Sequence, residues 1–490
     1  MPKTATFILI GILFLTALFG SSVLTRGHIW GDDFAAYVGQ AQSILRGEMG
    51  RFVARNGFTV SESSREEGHQ MGPAAYPWGF PLMLVPIYAL TGLSPLALKL
   101  PGLLAYLGFL LVYFLLLKRR LSLTESLLAV SLFAFNPELL HFLDNILSDI
   151  PFLFLSTLAI FLADLYVHET QGQRRWILAA GTGTAIFAAF FVRTQGLILL
   201  ASLSLFQGIR FLNQREKRSQ IIVDTLVIVA TFAVLWGLSK WVFPGGQTSY
   251  LALYKDFSIN TFTGNLVAYS SLFETFFATV PGQVLFFDIF VVLFFIGLVF
   301  RFKADLLFVL YAALYLLVVW TWPEWQGYRF LFPMLPFFIY FALQGIRIIL
   351  DKIGKTWKAN LQKGTYAFLL LIAVLFAYNS GTDAYVNLRS GREINGPFDP
   401  YSLETYDFIK NNTPPDSVII FFKPRAMRLM TDRDSLALTE CTRIPEGDYL
   451  ALSKKVGENL QIPPEQINEC AIPLDKVFEN RRFVVYQIMK

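Results

Sequence analysis

Long runs of apolar residues, separated by short polar connections, repeat along most of the chain. A run of about 20 apolar residues is long enough to cross the hydrocarbon core of a bilayer as a helix. The pattern predicts eleven spans, at residues 5–24, 95–117, 124–141, 150–167, 176–192, 196–212, 221–243, 282–300, 305–320, 330–349 and 365–379. The first run is long for a cleaved signal peptide and is not followed by an Ala-x-Ala site, so we interpret it as a retained span.

Lysine and arginine are concentrated in every second connection between the predicted spans. These connections carry Lys118–Arg120, Arg174–Arg175, Arg210–Arg218, Arg301–Lys303 and Arg347–Lys363. The opposite short connections, 142–149 and 321–328, contain no basic residue. Because short cytoplasmic loops are enriched in basic residues, we expect a cytoplasmic N-terminus and an extracytoplasmic C-terminus.

Three longer segments then lie on the predicted outer side, at residues 25–94, 244–281 and 380–490. We divide the chain into a membrane domain, residues 1–379, and a C-terminal outer domain, residues 380–490. The segment 25–94 forms the first outer loop and includes an apolar run, Phe80–Leu90, that is short for a span. We expect this run to lie in the membrane interface or to pack against other helices.

The C-terminal segment is much less apolar than the rest of the chain. A helical pattern covers Leu403–Lys410, and strand-like apolar runs cover Val418–Phe422 and Phe483–Ile488. We predict a small α/β domain. Its Cys441 and Cys470 are the only two cysteines of the sequence, and an exported domain holds them either as a disulfide or as two free thiols.

Composition narrows the class of protein further. Of the 490 residues, 54% are hydrophobic and only 16% are charged, whereas a soluble domain has roughly 25% charged residues. The net charge of +5 is spread through short loops and forms no single basic face, so we do not expect a nucleic-acid partner. The sequence predicts a polytopic membrane protein embedded in the lipid bilayer.

Acidic residues stand at the predicted outer surface of the membrane. Asp32 and Asp33 follow the first span and precede an amphipathic helical pattern, and Asp149 stands at the mouth of the fourth span. One interpretation is helix capping, because negative charge is favoured at a helix N-terminus. The other is catalysis, because a partly desolvated carboxylate has a raised pKa and can act as a general base.

Two arginines are predicted to lie at the same outer surface. Arg193 lies in the turn between the fifth and sixth spans, and Arg329 opens the tenth span. They either extend to lipid headgroups or bind a phosphate through the planar guanidinium group. Tyr76 and His69 of the outer loop are candidates for substrate binding, and so is Tyr328, which precedes Arg329. His69 is either a solvated loop residue or a substrate ligand.

Motifs of several other chemistries are absent from the sequence. It contains no P-loop, no His-Glu-x-x-His and no Cys-x-x-Cys. The four histidines are scattered at positions 28, 69, 141 and 168, so we expect no metal site. The predicted cytoplasmic loops are too short to hold a nucleotide-binding domain, which argues against a nucleotide-sugar donor.

The order of these features resembles the GT-C glycosyltransferases of the dolichyl-phosphate-mannose protein mannosyltransferase and aminoarabinose lipid A transferase type. The shared features are the acidic pair after span one, Tyr-Pro-x-x-x-Pro from Tyr76, Ser-Asp-x-Pro from Ser148, Arg-Thr-Gln-Gly from Arg193 and Tyr-Arg-Phe-Leu-x-Pro-x-x-Pro from Tyr328. The outer domain is similar at Ile419–Ala426. The resemblance implies an all-α polytopic membrane protein of GT-C type, with about eleven transmembrane helices and a small C-terminal α/β extracytoplasmic domain.

The resemblance also implies an activity and roles for particular residues. It implies an inverting transfer of a sugar from a polyprenyl-phosphate donor to a lipid, glycan or protein acceptor, at a bacterial inner or plasma membrane. Asp32 would be the general base, and Asp149 would orient sugar or acceptor. Asp33 replaces the glutamate that is common in the family. Arg193 and Arg329, with Arg65 as a further candidate, would hold the leaving phosphate. No cofactor or divalent metal is implied.

Two other functions are compatible with an outer site on a polytopic protein. A lipid or sugar transporter would perform no covalent chemistry, and paired helix breaks at matching positions in two halves would indicate it. The sequence shows no such symmetry. A ligase or polymerase using a diphosphate donor resembles the first outer loop less well. The acceptor and the sugar are not defined by the sequence.

Overall fold

The computed structural model describes residues 3–66, 71–170, 172–245, 257–455 and 460–490. The first part of the chain forms one long apolar helix and then the helices of the first outer loop. These are α1 (Lys3–Val23), α2 (Asp33–Arg46), α3 (Met49–Ser63), α4 (Gly79–Thr91) and α5 (Pro95–Leu98). The apolar run predicted at Phe80–Leu90 is α4, which packs against α2.

The middle of the chain is a series of apolar helices with short connections. These are α6 (Leu100–Leu117), α7 (Leu123–Ala134), α8 (Pro137–Phe142), α9 (Asp149–His168), α10 (Gly172–Val192), α11 (Leu197–Asn213) and α12 (Arg218–Val242). The single span predicted at 124–141 is wrong, because the helix ends at Ala134 and a new one begins after Asn136. The Asn136 side chain accepts a hydrogen bond from the Leu139 amide at 3.1 Å and caps α8.

The remaining apolar helices are α13 (Ile259–Leu272), α14 (Gln283–Arg301), α15 (Leu306–Thr321), α16 (Leu335–Lys352) and α17 (Lys355–Ser390). The predicted span 95–117 is divided between α5 and α6, and the predicted span 330–349 begins before α16. Each of the other predicted spans overlaps a single helix. Within the described part of the chain, eight helices are long and apolar enough to cross a membrane. The polytopic helical fold predicted from the sequence is therefore confirmed.

Helices α14 and α16 approach each other closely through glycine. A β-carbon on Gly297 of α14 would collide with the Phe341 carbonyl oxygen of α16, and one on Gly345 would collide with Leu293. Small residues at such positions allow two helix backbones to come together in a bilayer. This contact fixes α16, whose preceding segment carries Arg329.

The end of the bundle that carries the basic connections is tied together by buried ion pairs. Asp164 of α9 binds Arg119 at 2.6 Å and Arg120 at 2.5 Å, and Arg120 also binds Asp305 at 2.8 Å. Asp305 further pairs with Arg301 at 2.8 Å. Because the partners come from connections far apart in sequence, this network holds the helices in register, at the end opposite to Asp32 and Asp149.

The C-terminal part adds α18 (Pro400–Asn412), α19 (Pro424–Thr431) and a five-stranded sheet. The strands are β1 (Val418–Ile420), β2 (Asp434–Leu436), β3 (Tyr449–Ser453), β4 (Leu474–Glu479) and β5 (Phe483–Ile488), in the order β2-β1-β3-β5-β4. β1 is parallel to β2 and β3, whereas β5 is antiparallel to β3 and β4. Cys441 and Cys470 form a disulfide.

This sheet domain rests on the first outer loop. Trp30 packs with the apolar cluster on one face of the sheet, and Phe58 of α3 packs with the cluster on the other. Gly396, in the connection to α18, lies so close to the His28 carbonyl that a β-carbon there would collide with it. The C-terminal domain therefore packs against the segment that leads to Asp32.

Candidate active site

Asp32 stands at the N-cap position of α2, but its side chain makes no capping hydrogen bond. Both of its carboxylate oxygens are buried without a well-formed hydrogen bond to the described residues. Burial raises the pKa of Asp32, and the positive charges of Arg425 and Lys423 oppose that rise only in part. A buried carboxylate that serves no cap and makes no well-formed hydrogen bond to the described residues is available to take a proton.

Asp33, the next residue, lies in a different environment. It accepts a hydrogen bond from the Tyr76 hydroxyl at 2.6 Å, and its other oxygen lies 3.4 Å from Nη1 of Arg329. Burial acts to raise its pKa, but Arg329, the Tyr76 hydroxyl and Arg425 outweigh burial and lower the pKa of Asp33. Asp33 is therefore a fixed anion that orients Tyr76 and Arg329.

Arg193 and Asp149 form a second buried pair beside the first. Nη1 of Arg193 lies 2.6 Å from the Asp149 carboxylate at the start of α9. It also lies 3.4 Å from the Ser148 hydroxyl, which in turn bonds the Tyr37 hydroxyl at 2.9 Å. Ser148 stands at the N-cap position of α9, but its side chain makes no capping hydrogen bond. These contacts fix Arg193 at the turn between α10 and α11.

One cavity of about 430 Å³ connects these groups. Its wall includes Asp32, Asp33, Tyr76, Arg193 and Arg329, so the fold brings together residues from positions 32 to 329. Asp149 holds Arg193 in this wall through their ion pair. The carboxylates of Asp149 and Asp33 raise the pKa of Arg329 against the effect of burial. The cavity therefore holds permanent positive charge close to a carboxylate of raised pKa.

The C-terminal domain also lines the cavity, through Lys423 and Arg425. Arg425 is 2% exposed. It donates hydrogen bonds to the Gly72 carbonyl at 2.8 Å, to the Pro73 carbonyl at 3.0 Å and to the Tyr76 hydroxyl at 3.3 Å. The site thus contains a chain of contacts from Arg425 through Tyr76 to Asp33 and Arg329.

Sequence reasoning missed Lys423 and Arg425 as site residues. Both belong to the segment Ile419–Ala426 that carries the family resemblance, and that was the one available signal. Glu324 and Gln326 also line the cavity, and Gln326 accepts a hydrogen bond from Arg329. No periodic pattern links these positions to Asp32, because the cavity closes only through tertiary packing.

The loop before Asp32 is fixed by buried polar contacts. Nε2 of His28 accepts a hydrogen bond from the Ile146 amide at 3.0 Å, and Nδ1 donates to the Ile29 carbonyl at 2.8 Å. Burial lowers the pKa of His28 to about 4, so the ring is neutral at physiological pH. Lys99 forms a buried ion pair with Asp144 at 2.5 Å and donates to the Gly27 carbonyl at 2.7 Å.

The structure does not bring every predicted site residue to the cavity. Arg65 lies at the protein surface, paired with Glu62 at 2.8 Å and Glu446 at 3.3 Å. Tyr328 directs its hydroxyl into the protein, where it is buried without a hydrogen-bond partner among the described residues. His69 falls outside the residues that the structure describes.

Comparison with known proteins identifies the fold. The structure is similar to crystal structures of ArnT from Cupriavidus metallidurans, in the apo state and bound to undecaprenyl phosphate. The TM-score is 0.60 and the identity 12%, over 99% of this chain and 98% of that one. The chain has the GT-C fold.

A second GT-C structure supports the same assignment. The archaeal oligosaccharyltransferase AglB from Archaeoglobus fulgidus, in complex with an inhibitory peptide and a dolichol-phosphate, matches with a TM-score of 0.55. The identity is 12%, over 91% of this chain and 69% of AglB. No protein-family model and no curated protein matches the sequence.

Proposed function

We propose that this protein is an inverting glycosyltransferase that moves a sugar from a polyprenyl-phosphate donor to an acceptor on the outer side of the membrane. The observation that carries the proposal is the pairing of two features in one cavity of a GT-C fold. Asp32 is a buried carboxylate of raised pKa that makes no well-formed hydrogen bond to the described residues, and Arg193 and Arg329 are held in place by other carboxylates. The two GT-C relatives bound to undecaprenyl phosphate or dolichol-phosphate support a donor of that chemistry.

In the proposed reaction, Asp32 takes the proton from the acceptor hydroxyl. The acceptor oxygen then attacks the anomeric carbon of the sugar as the bond from that carbon to the phosphate oxygen breaks. The electron pair of that bond leaves with the polyprenyl phosphate, and the configuration at the anomeric carbon inverts. A general base of this kind contributes roughly 10²- to 10⁴-fold to the rate.

Arg193 and Arg329 stabilise the phosphate as it leaves. Their guanidinium groups are fixed before the donor binds, so little reorganisation is needed when charge develops on the leaving oxygen. Asp149 and Asp33 serve as positioning residues for these arginines, because each lies within ion-pair distance of one of them. The donor sugar is of the hexose or pentose class, and the acceptor is a lipid, a glycan or a protein.

The proposed topology places the cavity outside the cytoplasm. The basic connections and their ion-pair network lie at the opposite end of the bundle from Asp32, and short basic loops remain cytoplasmic. Residues 1–379 would form the catalytic membrane domain and residues 380–490 the outer domain. In this arrangement the N-terminus is cytoplasmic and the C-terminus extracytoplasmic.

The direct test is the variant Asp32→Asn in proteoliposomes that contain a radiolabelled polyprenyl-phosphate sugar and an envelope extract as the source of acceptor. We expect transfer of label to fall by roughly 10²- to 10⁴-fold, as for loss of a general base. Asp475→Asn is the matched control, because Asp475 is exposed on β4. Full activity of Asp32→Asn would remove Asp32 as the base, and counterflow of substrate without covalent product would indicate a transporter.

A further inference from the structure

A second cavity, of about 570 Å³, lies among the apolar helices α13, α14, α15 and α16, apart from the candidate active site. Phenylalanine dominates its wall, with seven side chains between Phe273 and Phe341. The wall opens sideways, because its Phe295 is 56% exposed and its Ala313 is also exposed. In a bilayer this opening faces lipid, and we name the cavity the phenylalanine groove.

The phenylalanine groove runs along the helices from one end of the bundle. Trp320, in the last turn of α15, and Met334, just before α16, line one end of it. That end lies opposite to Arg301, the residue of α14 that belongs to the basic ion-pair network. Along α14 the wall extends from Phe287 to Leu298, about 16 Å at a rise of 1.5 Å per residue. Half of a hydrocarbon core of roughly 30 Å has nearly this depth, so the groove fits a chain from one leaflet.

Asp288 stands in the wall near the same end of the groove. It lies in the second turn of α14, between the apolar Phe287 and Ile289. Its carboxylate forms no hydrogen bond or ion pair with a described residue. An ionisable residue within a membrane domain is costly and normally has a partner. Asp288 therefore marks a place where a ligand can supply the partner.

The charge around this end of the groove is negative. From Phe257 to Phe300 the sequence contains two charged residues, Glu274 and Asp288, and both are acids. Glu274 accepts a hydrogen bond from the Gln283 amide group at 2.8 Å, at the start of α14. Among the described residues of the groove wall there is no lysine, arginine or histidine. This charge repels an anionic headgroup and attracts a cationic one.

The wall also contains a hydrogen-bond donor that has no acceptor. Nε1 of Trp320 is buried without a partner among the described residues, and an indole nitrogen can only donate. Tryptophan is enriched where the hydrocarbon core meets the headgroups. A zwitterionic phospholipid with a primary ammonium group offers N–H donors to Asp288, and its phosphate and ester oxygens are acceptors for Trp320.

We propose that the phenylalanine groove binds one outer-leaflet phospholipid that carries a primary amine, with an acyl chain in the groove and the ammonium group on Asp288. The apolar wall recognises the chain, and the carboxylate distinguishes the headgroup. The proposed donor phosphate belongs to Arg193 and Arg329 in the other cavity. The groove is thus a separate lipid site, and its occupant does not depend on the proposed transferase activity.

A fluorescent label in the groove tests this assignment. Both cysteines of the sequence are used in the Cys441–Cys470 disulfide, so Ala313→Cys adds a single free thiol at the exposed edge of the groove. The full-length protein, labelled there with bimane, is placed in phosphatidylcholine nanodiscs that contain a small fraction of lipid with brominated acyl chains. Bromine quenches bimane on contact. Three parallel samples contain brominated phosphatidylethanolamine, phosphatidylcholine or phosphatidylglycerol.

Brominated phosphatidylethanolamine is expected to quench the label at a roughly tenfold lower fraction than brominated phosphatidylcholine. The choline headgroup keeps the positive charge but has no N–H, and one hydrogen bond to a charged group corresponds to roughly this factor. Asp288→Asn, added to Ala313→Cys, should abolish the preference, whereas Asp288→Glu should keep it. Ala233→Cys is the matched control, because Ala233 is exposed on α12, away from the groove, and should show no preference.

Several outcomes would overturn the proposal. One is equal quenching by the three lipids at Ala313→Cys, and another is a preference for phosphatidylethanolamine that survives in Asp288→Asn. Stronger quenching by phosphatidylglycerol would assign the groove to an anionic lipid. A last sample adds unlabelled polyprenyl phosphate in an amount equal to the brominated phosphatidylethanolamine. Unchanged quenching supports a separate phospholipid site, whereas recovery of fluorescence would assign the groove to the polyprenyl chain.

Discussion

Asp33 binds Tyr76 and Arg329, whereas the carboxylate of Asp32, one residue earlier, is buried without a well-formed hydrogen bond to the described residues. The first residue of the pair has a raised pKa and the second a lowered one. When the pKa values of two adjacent carboxylates shift in opposite directions, one can act as the general base and the other as a positioning residue. This division leads to distinct expectations for the two side chains.

We expect Asp32→Asn to increase the stability of the folded protein at neutral pH. The pKa of Asp32 is higher in the folded state than in the unfolded chain, so the stability of the fold decreases as the pH rises from the unfolded-state pKa through the folded-state pKa. The substitution replaces a buried charge with a neutral amide, so we expect the free energy of unfolding to rise by about 1–3 kcal/mol, the desolvation cost of a buried polar group. Thermal unfolding in detergent from about pH 4 to about pH 8 measures the difference, which should grow as the pH rises.

The control for this measurement is Asp33→Asn, which should have the opposite effect. The pKa of Asp33 is lowered, so its charged form stabilises the fold, and this contribution is lost as the pH falls through the folded-state value. A lower melting temperature for Asp32→Asn than for the wild type at neutral pH would show that Asp32 has a stabilising partner in solution.

We expect Asp33→Asn and Tyr76→Phe to act as one unit in catalysis. Both act on the same 2.6 Å hydrogen bond, because Tyr76→Phe removes its donor and Asp33→Asn replaces its charged acceptor with a neutral one. A small displacement of Arg329 is expected to lower transfer roughly 10²-fold. The double variant should therefore be little worse than either single one, with a coupling energy of about 0.5–3 kcal/mol. Rates of transfer for the four proteins complete the double-mutant cycle, and strictly additive losses would contradict the shared role.

The pH dependence of transfer should respond to Arg425. Of the groups that oppose the effect of burial on Asp32, Arg425 is the strongest. Replacing it in Arg425→Gln removes this positive charge and raises the pKa of Asp32 further. Because the base acts only when deprotonated, the acidic limb of the rate profile should move to higher pH.

The profile of kcat/KM against pH measures this effect, and Arg65→Gln is the matched control. Arg65 is exposed and bound to Glu62 and Glu446, away from the cavity, so its loss should leave the acidic limb in place. An acidic limb that stays unchanged or moves to lower pH in Arg425→Gln would mean that Asp32 is not the group that titrates.

The polytopic fold was predictable because each apolar run predicts one helix without reference to the rest of the chain. The helix break at Asn136 was harder to predict, because it depends on a local capping interaction of one polar residue within an otherwise apolar run. Asp32, Arg193 and Arg329 were accessible as unusual polar residues beside apolar spans. Arg425 was not, because its position near Asp32 depends on how the sheet domain packs on the first outer loop.

Asp149 gives the last expectation, because it is the anchor of Arg193. Asp149→Asn removes the ion pair at 2.6 Å and frees the guanidinium to move, so affinity for polyprenyl phosphate should fall roughly 10-fold or more, as for loss of a hydrogen bond to a charged group. Arg193→Lys keeps the charge but not the planar fork, and should weaken binding similarly. Arg174→Gln is the control, since Arg174 lies near the other end of α10, paired with Glu169 at 3.0 Å. Equilibrium binding of labelled polyprenyl phosphate compares the four proteins, and unchanged affinity in Asp149→Asn would show that Arg193 needs no anchor.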